Sequence, residues 1–328
     1  MKGLFLALSA MAAALFAASL LTGPAGLPPA ESLRALALGG EGPLPIVMRE
    51  IRLPRAILGA AVGAGLGLTG AALQGYLRNP LAEPGLIGVS GMAALGAVIA
   101  IHTGLSAAAA LALPLAALAG AAGGVALLTA LAGPRGGSVT LILAGVAISA
   151  LAGAGTSLVL NLSPNPYAAS EIVFWLMGSL ADRSMLHVWL ALPPMGLGAI
   201  LVLSARRALD ALTLGEAAAQ ALGVGGPPLR WRLIAGTALI VGPATAVAGA
   251  IGFVGLVVPH VLRPFVGARP SALLPASALG GAALLLASDI AVRLIVPDRD
   301  LKLGVLTAIV GAPLFLHLIW KTRSGGRV

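Results

Sequence analysis

The 328-residue chain has no cysteine, which excludes disulfides, thiolate metal sites, iron–sulfur clusters and cysteine nucleophiles. Charge is scarce too: 9% of residues are charged, against roughly a quarter in soluble globular domains. Only three lysines occur, Lys2, Lys302 and Lys321. None completes the G-x-x-x-x-G-K-[ST] phosphate loop, so the chain does not hydrolyse ATP by that route. No polar block is long enough to form a soluble domain. What remains is apolar, with 59% hydrophobic residues and a mean hydropathy of +1.02. Residues 1–328 read as a single integral-membrane domain.

The formal net charge is +9. The basic residues lie in short loops between apolar runs, which fits topology control rather than nucleic-acid binding. Apolar segments run at about 3–21, 53–76, 86–104, 107–131, 139–160, 185–205, 231–250, 252–267, 272–296 and 304–320. Most approach the roughly 20 residues that cross a bilayer core, so the fold class is all-α, a polytopic membrane protein of about ten transmembrane helices. Residues 3–21 resemble a signal peptide, with Ala17, Ala18 and Ser19 near the end, but read as a retained first helix. Residues 23–50 read as a Pro/Gly-rich loop, and 165–184 as a short extracytoplasmic helix with Phe174 and Trp175 at the interface. Gly249, Gly252 and Gly255 divide the seventh span from a short eighth. With ten spans and both termini on one side, that side holds twelve of the 20 Lys and Arg residues, so it is expected to be cytoplasmic.

The stretch Arg49–Met92 is the most informative. Gly59, Gly63, Gly67, Ala71 and Gly75 recur every fourth residue on one helical face. Small residues at that spacing let helix backbones approach closely in a bilayer. Arg49, Arg52 and Arg55 precede the stripe at the outer mouth, against the usual charge bias. They suit either interfacial anchoring by snorkelling or docking of an acidic surface, since arginine binds carboxylates bidentately. Arg78, Asn79 and Glu83, broken by Pro80 and Pro84, form a loop at the other end. Residues 209–232 make the longest polar loop on the inner side, a connector or a handle for a cytoplasmic partner.

Other patterns carry less. Gly65, Gly67 and Gly70 spell G-x-G-x-x-G, but inside an apolar span rather than between a strand and a helix. His102, His187, His260 and His317 are scattered without a ligand spacing, so no metal site is expected. Asp289 is the carboxylate within a span, a functional candidate by position. Arg293, four residues on, makes a local ion pair the simpler reading. No catalytic constellation is present.

Five motifs in order carry a resemblance: RLPR (52–55), QGYLRNPLAEPGLIGVSGM (74–92), LGEAAAQALGV (214–224), GAIGFVGLVVPHVLR (249–263) and LGVLTAIVGAPLFLHLI (303–319). Through them nearly the whole chain resembles the FecCD-like permease subunits of type II ABC importers, which carry iron–siderophores, haem and vitamin B12. The resemblance implies the type II ABC importer permease fold and a homodimer in the inner membrane. Two ATPase subunits, which bind the ATP and magnesium, would sit below it and a periplasmic substrate-binding protein above. It implies that Arg52 and Arg55, with Arg293 third, meet glutamates of the binding protein. It also places the ATPase coupling contacts at Gly215, Glu216, Ala219 and Leu222, in the loop at about 209–230. The family's E-L-P-x-G before the last span is replaced by Asp300, Leu301, Lys302, Leu303 and Gly304, which adds an outward charge. A secondary transporter is the rival class, but it calls for mid-membrane ionisable residues and matched broken helices in two repeats. Ferric chelates are the implied cargo, with vitamin B12 and haem as alternatives.

Overall fold

The computed structural model describes residues 1–23, 26–133, 137–163, 166–224, 226–295 and 301–323, and every regular element among them is a helix. Ten helices form the bundle: α1 (Lys2–Leu21), α2 (Leu53–Leu77), α3 (Val89–His102), α4 (Ala112–Ala132), α5 (Ser138–Asn161), α6 (Met185–Ser204), α7 (Pro227–Ala248), α8 (Val254–Leu262), α9 (Pro270–Ile295) and α10 (Leu303–Arg323). Seven are long and apolar enough to cross a membrane, and α3, α8 and α10 are the shorter apolar helices that complete the expected ten. The expected helix within 165–184 is Pro166–Leu176.

Helix α2 is the axis of the molecule, with sixteen of its 25 residues buried. Lipid tails are as apolar as leucine, so helix association here rests on close packing rather than on the hydrophobic effect. Gly63 and Gly67 provide it. A Cβ on Gly63 would fall on the Gly281 carbonyl of α9, and one on Gly67 on the Ser277 carbonyl. Reciprocally, a Cβ on Gly281 would fall on the Gly63 carbonyl. A Cβ on Gly59 would lie 3.2 Å from Leu286 and Ala71 is buried at 1% exposure, whereas a Cβ on Gly75 would meet nothing nearer than 3.8 Å. The stripe is therefore tight in its middle and slack at its end. Arg78, left-handed at φ 48°, stops the helix.

Two departures from the expected spans share one cause. Residues 249–253 run without helix between α7 and α8, so α8 starts within the bundle. There Gly255 packs against Leu66 and Gly70, in the interior of α2. The chain after α2 also turns back inward: a turn at Pro84–Ile87 lies against Gly145 of α5 and Gly255, which delays the start of α3. Irregular backbone at such depth is tolerated only when protein satisfies it. Here the Glu83 Oε1 accepts the Phe253 amide at 2.7 Å, where Phe253 is left-handed at φ 68°. Gln74 donates toward the Gly255 and Leu256 carbonyls and accepts from Arg263 at 2.6 Å.

Within the expected loop, residues 26–50 are more regular than a loop. Helix Pro29–Leu38 opens on prolines with Glu31 in its first turn, where an acidic side chain suits the helix dipole. Its Leu36 packs with Leu44 against a small cluster of Leu20, Met48 and Ala56. Residues Val47–Arg52 form a π-helical turn that leads directly into α2.

Candidate functional site

The polar residues collect at the two ends of the bundle. At one end, α1 stops at Leu21 and leaves its last carbonyls without intrahelical partners. Arginine, with five donors and a permanent charge, fits such a helix C-terminus. Arg52 donates to the Leu20 and Leu21 carbonyls, both at 3.1 Å. Arg293 donates to the Ser19 and Thr22 carbonyls at 2.9 and 2.7 Å and to the Ser19 hydroxyl at 2.7 Å. Arg49 does the same for the helix Pro29–Leu38, donating to the Leu36 and Ala37 carbonyls.

Asp289 joins this network from α9. Its carboxylate accepts Arg55 Nε at 3.0 and 3.1 Å and Nη2 at 2.8 Å, a bidentate pair, and Arg293 Nη2 at 2.8 Å. Asp289 is 1% exposed, so its charge is balanced inside the protein by two guanidinium groups. The expected pair with Arg293 is present, and Arg55 is the partner that sequence spacing does not reveal. These arginines are thus internal fasteners. Arg52 is only 4% exposed and the Arg293 side chain 7%, because the carbonyls of α1 draw them in, while the Arg55 side chain keeps 18%. Nearby, Arg183 donates to the Val247 carbonyl, and burial pulls its pKa below the ordinary value while Asp182 opposes the shift. Lys302 lies over the Phe174 ring at 5.4 Å, and Leu303 donates to the Gly178 carbonyl. Asp300 lies outside the described residues.

At the opposite end, helices Arg206–Leu212 and Glu216–Ala221 follow α6. Leu209 is buried close to Gly75, and Asp210 accepts the Ser271 amide at 2.8 Å, which ties this segment to α2 and α9. Gly215 takes φ 103°, a conformation that favours glycine, and starts the second helix. Glu216 is exposed and lies 3.6 Å from Arg78. Leu214 and Leu222 are 69% and 62% exposed. Ala219 differs from its expected contact role: it is fully buried and fastens the helix to the bundle, so the accessible face comprises Gly215, Glu216 and Leu222, with Leu214 added.

Among the described residues, no group of three or more His, Cys, Asp or Glu side chains gathers as a metal site. His187 belongs to the start of α6, where its Nδ1 accepts the Ser184 amide at 3.2 Å. The bundle has a fastened basic end and an end with a small exposed helix, both linked by α2 and α9.

Known proteins share this fold. A metal-chelate type ABC transporter in an inward-facing conformation superposes with a TM-score of 0.85 and 34% identity, covering 98% of this chain and all of the other. The vitamin B12 import system permease BtuC of Vibrio cholerae is 42% identical over 272 residues, 82% of this chain and 81% of the relative. The Fe(3+) dicitrate transport system permease FecD of Escherichia coli is 42% identical over 278 residues, 84% of this chain and 86% of that protein. The family model described as the FecCD transport family matches residues 11–321, and the chain belongs to that family, as a permease of ABC importers rather than an enzyme.

Proposed function

We propose that this permease moves an iron chelate across the inner membrane, as a homodimer with both termini in the cytoplasm. Family membership removes the ion-gradient alternative. The observation that supports the reading is the contrast between the two ends: a basic rim at one and an exposed helix with apolar flanks at the other. A periplasmic binding protein docks at the rim through Arg52, Arg55 and Arg293. Arg55 makes the first contact, because part of its guanidinium is accessible while Asp289 holds the rest in place. Two ATPase subunits, which bind ATP and magnesium, engage Gly215, Glu216 and Leu222. Closure of the ATPases pushes this loop, whose attachment to α2 and α9 through Leu209 and Asp210 passes the movement to the bundle. Alternating access follows from that shift.

The cargo rests on relatives of equal rank. The ferric dicitrate and vitamin B12 permeases are both 42% identical to this chain. The ferric dicitrate relative, 86% of which is covered, supports the iron chelate, while the metal-chelate description of the superposed structure fits all three cargoes. Uptake of labelled ferric siderophore, cobalamin and haem in cells lacking the chain, against complemented cells, tests this. Selective loss of ferric siderophore uptake supports the reading, and selective loss of cobalamin or haem replaces the cargo.

A further inference from the structure

A cavity of about 810 Å³ opens where the start of α1 meets helix Arg206–Leu212 and the start of α9. Lys2, Arg206 and Arg207 line it, with Asp210 as the carboxylate. All three cationic side chains are exposed, and the ion pairs found among the described residues involve other residues. Asp210 is held by the Ser271 amide at 2.8 Å and offsets one of the three positive charges, so the lining stays net positive. The position is a membrane boundary: Lys2 opens the first span, and Arg206 comes two residues after α6 ends at Ser204. Phe5 and Leu6, about one turn further along α1, complete the wall, and Leu6 is 73% exposed.

We propose that this cavity binds the headgroup of an anionic phospholipid. A phosphodiester there meets Lys2, Arg206 and Arg207, and its acyl chains run down α1 past Leu6. The apolar wall favours a lipid over a free anion, because an inorganic phosphate would gain nothing from Phe5 and Leu6. The coupling residues Glu216 and Leu222 do not line the cavity, which separates it from the face assigned to the ATPase. Basic pockets at helix ends next to the bilayer are suited to such headgroups.

The test is native mass spectrometry of the transporter complex in detergent, titrated with phosphatidylglycerol or phosphatidylcholine. The wild type should retain phosphatidylglycerol selectively. A K2Q/R206Q/R207Q variant should lose it by about a hundredfold, in line with three basic contacts removed. A Leu6→Gln variant, with all the cations in place, should also bind phosphatidylglycerol more weakly. Equal retention of both lipids, or displacement of phosphatidylglycerol by millimolar inorganic phosphate, would overturn the proposal. So would unchanged lipid retention in the triple variant. Loss of the ATPase with lipid retained would make the cluster an ATPase contact instead.

Discussion

Asp289 holds two arginines that arrive from different helices, and its single negative charge is shared between them. Removing a partner from a buried ion pair leaves an uncompensated charge, at a cost of about 3–5 kcal/mol. Asp289→Asn should therefore destabilise the chain strongly. Arg55→Gln leaves Asp289 paired with Arg293 and should cost less, about 1–3 kcal/mol for lost charge-assisted bonds. Thermal unfolding of the purified variants in detergent measures the order, and an Arg55→Gln protein less stable than Asp289→Asn would refute the scheme. The pair with Arg293 is legible in the sequence, because residues four apart share a helical face. The pair with Arg55 is not, since it spans 234 positions and depends on α2 packing along α9. The contacts of the arginines at 49, 52 and 293 are hidden for a related reason: the carbonyls they cap belong to helix ends that only the fold brings near them.

At the scale of elements, the glycine stripe makes a graded prediction. Gly67→Ala places a methyl on the Ser277 carbonyl, and backbone cannot move aside as a side chain can. Forcing α2 and α9 apart should cost about 1–3 kcal/mol. Gly75→Ala meets only contacts at 3.8 Å and gains helix propensity, so it should be neutral or stabilising by up to about 1 kcal/mol. Melting temperatures of the two variants should move in opposite directions or at least differ in size, and equal losses would show that the stripe is not the packing surface. The period of the stripe is legible in sequence, whereas its tight centre is set by where Gly281 and Ser277 of α9 fall. The broken start of α8 has a similar history. The sequence marks it by Gly249, Gly252 and Gly255, yet the group that satisfies its backbone is Glu83, in a different motif. Glu83→Gln keeps an oxygen acceptor for the Phe253 amide, while Glu83→Ala leaves that amide unpaired at about 1–3 kcal/mol. The alanine variant should melt below the glutamine variant, and coincident melting would remove this bond from the account.

For the whole molecule, the two ends should fail independently. Leu214 and Leu222 are exposed apolar side chains flanking the helix Glu216–Ala221, which is attached to the bundle through buried Ala219. Leu222→Asp places a charge where a partner's apolar surface would sit, so it should reduce the ATPase that co-purifies with the permease by about tenfold, the effect of 1.4 kcal/mol. The same variant should leave affinity for the binding protein unchanged, because Leu222 lies at the opposite end from Arg55. Arg55→Glu should show the reverse, with binding-protein affinity reduced and ATPase retention intact. Glu216→Arg adds a further separation. It repels Arg78 and alters the exposed face without unburying Ala219. ATPase association should then persist while ATP hydrolysis no longer drives uptake. Reconstituted proteoliposomes report both quantities in one sample. Uptake and hydrolysis falling in proportion in Glu216→Arg would place this residue in assembly rather than in transmission. A fall in ATPase retention in Arg55→Glu would mean that the ends are not separate sites but two views of one long-range packing unit along α2 and α9.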